Sequence, residues 1–241
     1  MAGVAAAADS LVVSEVFGPT IQGEGPSTGR RTSFIRLGGC NFSCWWCDSA
    51  YTWDATRYDL RDELNRRSVM DLLGEVAGHK TPMVVISGGE PLLHQHQPAW
   101  GRLLAGLTDG LGMEIEVETN GSQAPSTLTA ARVSRFNVSP KLSHAGDLAS
   151  LRFNPAAISA LLTTGRAVFK FVCASRDDLD ETAAMAEGLG IPPGLVWIMP
   201  EGTDPATLTE RLRELADPAI AAGYNLTTRL HVLAWGNKRG R

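Results

Sequence analysis

Short apolar runs rich in β-branched residues alternate along this chain with stretches of helical periodicity, and that alternation narrows the architectures open to it. Residues 11–17, 32–37, 83–87, 114–118, 135–139, 168–174, 194–199 and 226–232 read as strands. Residues 69–76, 98–107, 128–132, 154–162, 177–189 and 207–216 carry helical spacing. Strands and helices in this order predict an α/β fold, a parallel sheet with crossover helices. The length of 241 residues suits one domain. About six βα units predict an open or partial (β/α) barrel of about six parallel strands, short of the eight-fold barrel. Residues 1–10 read as a disordered tail, which leaves 11–241 as the domain.

In parallel α/β architectures, chemistry sits on the loops that leave the C-terminal strand ends. Four expected strands end in unusual loops. They run into Gly38-Gly39-Cys40, Gly88-Gly89-Glu90-Pro91, Thr119-Asn120-Gly121 and Pro140-Lys141. If these strands lie side by side, the loops converge on one rim.

Composition excludes several alternatives. With 44% apolar and 20% charged residues, wholesale disorder is ruled out. A formal net charge of −4 gives no global reason to bind nucleic acid or an anionic membrane. No apolar run approaches the roughly 20 residues of a membrane span. The Ala-rich start has no basic n-region, so it is not a secretory signal, and a cytoplasmic protein is expected.

Three of the four cysteines fall within eight residues, as Cys40-x3-Cys44-x2-Cys47, and the fourth is Cys173. Three thiolates can bind three irons of a cubane cluster and leave the fourth iron open, unlike the four-cysteine ligation of ordinary ferredoxins. Structural zinc wants four protein ligands and would need a distant partner such as His94 or His96. The spacing also fits one face of a helix with buried thiols, although Gly38-Gly39 before it and Asp48-Ser49 after it interrupt a clean helix. Cys173, in an apolar run, reads as core.

The cysteine triplet, with Trp46 before its last member, resembles the signature of radical S-adenosylmethionine enzymes, and Gly-Gly-Glu-Pro at 88–91 matches their second motif. The flanks narrow the resemblance. The segment 17–25 around Gln22-Gly23-Glu24-Gly25, the segment 47–54 and the closing 235–240 are similar to the 7-carboxy-7-deazaguanine synthase family. The resemblance implies a radical S-adenosylmethionine core, a [4Fe-4S] cluster, S-adenosylmethionine, Mg²⁺, a homodimer and an external electron donor of flavodoxin or ferredoxin type. It implies conversion of 6-carboxy-5,6,7,8-tetrahydropterin to 7-carboxy-7-deazaguanine, a radical ring contraction with loss of ammonia, in queuosine-type 7-deazapurine biosynthesis.

Carried onto this chain, the resemblance gives the cluster to Cys40, Cys44 and Cys47 and a Mg²⁺ ligand to Ser49. It gives the substrate to Ile21, Gln22, Gly23, Arg36, Ser87 and Glu118. S-adenosylmethionine falls to Trp46, Cys47, Asp48, Gly89, Glu90, Ser139, Pro140 and Lys141. A guanidinium at Arg36 suits bidentate capture of a carboxylate. A side-chain amide with backbone N–H and C=O at Gln22 suits the edge of a flat ring, and Glu118 can accept from ring N–H groups. For these positions a strand-end salt bridge, a loop-fixing role and a solvated carboxylate are the ordinary alternatives. Glu114 and Glu116 share the parity of Glu118. Where the family carries a glutamine this chain has Met199, which leaves only backbone contacts there. His94 and His96 are expected to be solvated or capping, and the C-terminal basic residues to fray.

Two rivals stand beside this reading. A glycyl-radical activase would lack the Gln22–Gly25 loop and need a protein partner. A zinc-stabilised nucleic-acid-binding module would need the missing fourth ligand and a basic balance.

Overall fold

Nine strands hydrogen-bond in one sheet: β1 (Ser10–Ile21), β2 (Arg31–Leu37), β3 (Asn65–Ser68), β4 (Met83–Gly88), β5 (Glu114–Thr119), β6 (Arg135–Val138), β7 (Ala167–Cys173), β8 (Val196–Pro200) and β9 (Asn225–Leu226). The computed structural model describes residues 9–147 and 149–241. The expected tail therefore lies largely outside the described residues, but Ser10 already pairs with Ser68 in the sheet. The spatial order is β3-β1-β2-β4-β5-β6-β7-β8-β9.

From β2 to β9 every neighbouring pair is parallel, so the expected six parallel strands are present, followed by the two-residue β9. The β1–β2 pair is antiparallel. Only the nine residues 22–30 join these strands, too few for the crossover that a parallel pair needs. β3, antiparallel to β1, is the strand the sequence pattern hides: Asn65-Arg66-Arg67-Ser68 offers no apolar alternation. At the other edge, the strand expected over 226–232 stops at Leu226 and gives way to a helix, Leu230–Trp235. Polar Thr227-Thr228-Arg229 intervenes, and the Arg229 side chain is drawn off the sheet by partners in three loops.

Helices cross between the parallel strands as expected, among them Val69–His79, Pro98–Ala105, Thr127–Arg132, Pro155–Thr163, Asp177–Gly188 and Pro205–Ala221. Helix Val69–His79 begins where the Ser68 hydroxyl accepts from Asp71 N, and it buries Val69, Leu72 and Val76 at helical spacing. Period-2 alternation then divides the strands into two faces. One parity (Ile35, Leu37, Val84, Ile86, Ile115, Val117, Phe136, Val138, Phe169, Phe171, Val196 and Ile198) packs into the main apolar core. The opposite parity supplies Arg36, Ser87, Glu118, Asn137, Ser139, Lys170 and Met199, all of which line one cavity. Parity therefore separates the main core from the site, although on the site face Phe34, Met83 and Val85 form a second, smaller apolar cluster.

Phe136 is fully buried at the centre of that core. Phe136→Ala is expected to cost about 3–5 kcal/mol in unfolding free energy, by lost transfer energy and a residual cavity, as read by urea denaturation.

Candidate active site

Two backbone segments meet without side chains between them. Gly89 N donates to Leu37 O at 3.1 Å, and Glu90 N donates to Gly39 O at 2.8 Å. A Cβ on Gly88 would strike the Leu37 carbonyl, and one on Gly89 the Gly39 carbonyl. The glycine pair that ends β4 is thus required by this close approach, whereas Gly39 after β2 is favoured by its positive φ of 91°. His94 braces it from behind, with Nε2 on Gly38 O at 2.8 Å and Nδ1 on Gln97 Nε2 at 3.0 Å. Burial holds this imidazole below its ordinary pKa. It is a buried brace, neither a metal ligand nor a solvated group, whereas His96 is exposed.

Beyond this junction the three cysteines stand at the mouth of a cavity of about 400 Å³. Cys44 is buried with Phe42 and Ala145, and Cys40, Trp46 and Cys47 pack against that group. All are free thiols. Burial pushes the Cys40 thiol up to about 12 and the Cys44 thiol up to about 11, a cost of desolvating the thiolate that the nearby Lys141 charge only partly offsets. Among the described residues no three His, Cys, Asp or Glu side chains converge on one point as a single metal ion requires. A cubane makes no such demand, since each thiolate binds a different iron. Three buried polar atoms of cavity-lining residues, Ser87 Oγ, Trp46 Nε1 and Asn137 Oδ1, find no hydrogen-bond partner among the described residues. Native proteins rarely leave such atoms unpaired, so all three suit a polar ligand. The donor set fits a cluster with an S-adenosyl ligand beside it.

Most expected site residues line this cavity: Ile21, Gln22, Gly23, Arg36, Cys40, Cys44, Trp46, Cys47, Asp48, Ser49, Ser87, Gly89, Glu118, Ser139 and Lys141. Arg36 donates through Nε to Glu15 Oε1 at 2.7 Å, and its two terminal nitrogens make no hydrogen bond among the described residues. Ser87 is its register neighbour across the β2–β4 pair. Lys141 Nζ bonds Ser139 Oγ at 2.9 Å and lies 5.7 Å from the Trp46 ring centre, while His144 stacks on the other contact of that ring at 5.6 Å.

Three expectations change. Glu90 is fully buried and does not reach the cavity. Its carboxylate accepts from Leu92 N, Thr119 Oγ1 and Asn120 N at 2.7–2.9 Å, so it braces two loops instead of presenting itself to a ligand. Pro140 is buried away from the cavity lining. Gln22 is already engaged: its backbone N–H and C=O bond Arg30 O and Gly29 N, its Nε2 donates to Glu118 Oε1 at 3.1 Å, and its Oε1 accepts from Glu24 N. The main chain of Gln22 is closing the β1–β2 loop, and only the second amide hydrogen of its side chain stays uncommitted.

Several residues of the site carry no motif. Lys170, 6% exposed, pairs with Glu24, and Glu24 also accepts from Arg229 Nε at 3.0 Å. Burial alone would raise the Glu24 pKa, but Lys170, Arg229 and His231 overcome it and hold the carboxyl well below the usual range. Glu118 moves the other way, pushed up by burial despite the attraction of Lys170. Lys170 had a sequence signal, a lone charge inside the apolar run Ala167–Cys173. The carboxylate of Glu15 gathers Arg36, Tyr51 Oη at 2.9 Å and Arg239 Nε at 3.1 Å. Arg239 also bonds Glu63 and Ser14 and lies 3.9 Å over the Tyr51 ring, so the expected fraying of the basic tail is not seen. Residues Asn237–Arg241 roof the cavity. Cys173 is core, as expected, and Glu116, buried against Ser27 and Asn137, is structural rather than solvated.

A half-barrel carrying three cysteines on the loop after β2 and a glycine-rich turn after β4 defines a radical S-adenosylmethionine fold, and the Radical SAM superfamily model matches residues 34–143. The chain is 38% identical to a 7-carboxy-7-deazaguanine synthase of Pyrobaculum aerophilum over 95% of its own length and 96% of the relative's. It is 36% identical to one of Hyperthermus butylicus, over 92% of each. The crystal structure of QueE from Escherichia coli superposes with a TM-score of 0.68 at 25% identity, covering 92% of this chain and 95% of that one. The chain belongs to the 7-carboxy-7-deazaguanine synthase family and is a radical S-adenosylmethionine enzyme. Membership implies a [4Fe-4S] cluster and S-adenosylmethionine.

Two outcomes test the geometry. Gly89→Ala is expected to fold, by circular dichroism, yet to hold clearly less iron after anaerobic reconstitution, because the added methyl displaces the Gly39–Cys40 backbone. The second concerns Glu24, whose folded pKa lies below its unfolded value of about 4.3. Its stabilising contribution is complete above that unfolded value and is lost as pH falls toward the folded one. The stability gap between wild type and Glu24→Gln should therefore be widest near neutrality, begin to narrow below about pH 5 and go on narrowing through the acid range in urea titrations.

Proposed function

We propose that this cavity converts 6-carboxy-5,6,7,8-tetrahydropterin to 7-carboxy-7-deazaguanine with loss of ammonia, in queuosine-type 7-deazapurine biosynthesis. The observation that carries the reading is the meeting, on one parity of adjacent strands, of the Arg36 guanidinium, the unpaired Ser87 hydroxyl and the Glu118 carboxylate beside the three cysteines. The names of the relatives support the product.

When bound, the cluster and S-adenosylmethionine supply the radical that starts the rearrangement. The chain's own residues bind and orient. Cys40, Cys44 and Cys47 hold three irons. Gly89, Ser139, Lys141, Trp46, Cys47 and Asp48 would hold the S-adenosyl group, Trp46 offering a flat apolar face and Lys141 a cation. Glu90 and Pro140 serve this subsite from behind, by fixing the loops that form it. Arg36 takes the substrate carboxylate through its free terminal nitrogens, and Ser87 adds a hydrogen bond. Glu118, aided by the remaining amide hydrogen of Gln22, meets the pterin N–H edge, and Ile21 and Gly23 border it. A carboxyl whose pKa is raised by burial can accept or donate as the ring requires. Ser49, 8% exposed and 3.7 Å from Cys47 Sγ, offers one oxygen to Mg²⁺, an ion that keeps several waters and takes the rest from substrate. The roof of residues Asn237–Arg241 excludes water from the ring.

The reading extends to one radical S-adenosylmethionine domain over 11–241, a homodimer, a cytoplasmic location and an external flavodoxin or ferredoxin as electron source. Among the described residues no helix is long and apolar enough to cross a membrane, consistent with that location.

The deciding experiment is anaerobic. Reconstituted protein with S-adenosylmethionine, carboxy-tetrahydropterin, Mg²⁺ and reductant should release the deazapurine and ammonia, detected by mass. Omitting Mg²⁺ should slow product formation. Absence of deazapurine from fully cluster-loaded protein would reject this substrate.

A further inference from the structure

Arg229 is a buried cation with every kind of guanidinium nitrogen in use. It is 7% exposed. Its Nε donates to Glu24 Oε1 at 3.0 Å, its Nη1 to Gly202 O at 2.7 Å, and its Nη2 to Asp48 Oδ2. Those partners belong to three loops far apart in the chain: the loop after β1, which enters β2 at its N-terminal end, and the loops that leave the C-terminal ends of β8 and β2. Arg229 itself sits at the N-terminal boundary of helix Leu230–Trp235, where Leu230 N is tied to Gly23 O at 2.8 Å.

Burying a guanidinium is costly unless its donors are satisfied, and an apolar side chain would pack such a place at less expense. What the charge achieves here is separation. Glu24 and Asp48 are like charges brought to one guanidinium, and the planar fork of an arginine can hold one carboxylate on Nε and another on Nη2 in fixed geometry. Glu24 has Lys170 as a second partner, while Arg229 is the ion-pair partner of Asp48. Asp48 lies between Cys47, which would hold the cluster, and Ser49, and both Asp48 and Ser49 line the cavity. Its ion pair therefore fixes the Asp48–Ser49 peptide on the cavity wall.

We propose that Arg229 is a positioning residue for the S-adenosyl subsite, acting through Asp48 to set the Asp48–Ser49 segment that follows the last cysteine of the triplet. This rests on the reading that S-adenosylmethionine occupies the cavity. Arg229 has no place in the cluster ligation, so it should govern nucleotide affinity without governing iron content. Lysine keeps the charge but cannot span three partners, so Arg229→Lys should recover little of what Arg229→Gln loses.

The test is a double-mutant cycle of Arg229→Gln and Asp48→Asn on anaerobically cluster-loaded protein, with S-adenosylmethionine affinity read by calorimetry and iron per chain read in parallel. Arg229→Gln is expected to weaken binding by about tenfold or more, the scale of one charge-assisted hydrogen bond, with iron content unchanged. The double variant should bind no more weakly than the weaker single variant. Unchanged affinity in Arg229→Gln, losses that multiply in the double variant, or iron falling in step with affinity would each overturn the proposal. Should Arg229→Gln fail to fold, Asp48→Asn decides alone: wild-type affinity in that variant overturns it. Wild-type protein that binds no S-adenosylmethionine would instead sink the underlying reading.

Discussion

The junction of two strand ends carries the rest of this molecule. Where β2 and β4 finish, Leu37 to Gly39 and Gly88 to Glu90 lie backbone against backbone, joined by two hydrogen bonds and with no room for a Cβ on the β4 side. This places the cysteine loop directly over the glycine-rich turn. It also aims Arg36 and Ser87, register partners one step below, at the same space. Glu90 and His94 are spent on holding the junction, one through Thr119 and Asn120, the other through Gly38. Residues that look like ligands in a motif can thus serve as the frame that lets their neighbours be ligands.

The polar interior is organised by pairing. Glu15 gathers two arginines and a tyrosine, Glu24 gathers a lysine and an arginine, and Glu116 is satisfied by Ser27 and Asn137. Buried charges are tolerated because each meets an opposite charge or a donor. Against this background, the unpaired Ser87 hydroxyl, Trp46 indole N–H and Asn137 amide oxygen stand out, as do the free terminal nitrogens of Arg36. Those groups mark where the protein's own hydrogen bonding ends and a ligand's begins.

Much of this was legible in the sequence because it depends on period and spacing. The order of strands and helices announced the parallel sheet, and the unusual loops after β2, β4, β5 and β6 announced the rim on which the site lies. Features that depend on long-range partners were not. Asn65–Ser68 is a strand only because β1 supplies its hydrogen bonds. Residues 226–232 read as a strand by composition, but Arg229 is recruited by Glu24, Gly202 and Asp48, more than 25 residues away in each case, and the chain leaves the sheet. Glu90 and Gln22 were assigned to ligands by motif, and which partner a carboxylate or amide already holds is a matter of tertiary geometry. Lys170 is the intermediate case, visible as a charge out of place in an apolar run.

The sheet ends on two strands of unlike character, and neither pairs with the other. One edge is β3, four residues long and carrying Arg66 and Arg67; the opposite edge is β9, only two residues long. An open sheet exposes unpaired peptide groups that could template the strands of another molecule, and short or cationic margins are how such growth is discouraged. The incomplete barrel can therefore leave its side open to solvent without offering a long flat seam on which neighbouring chains could polymerise.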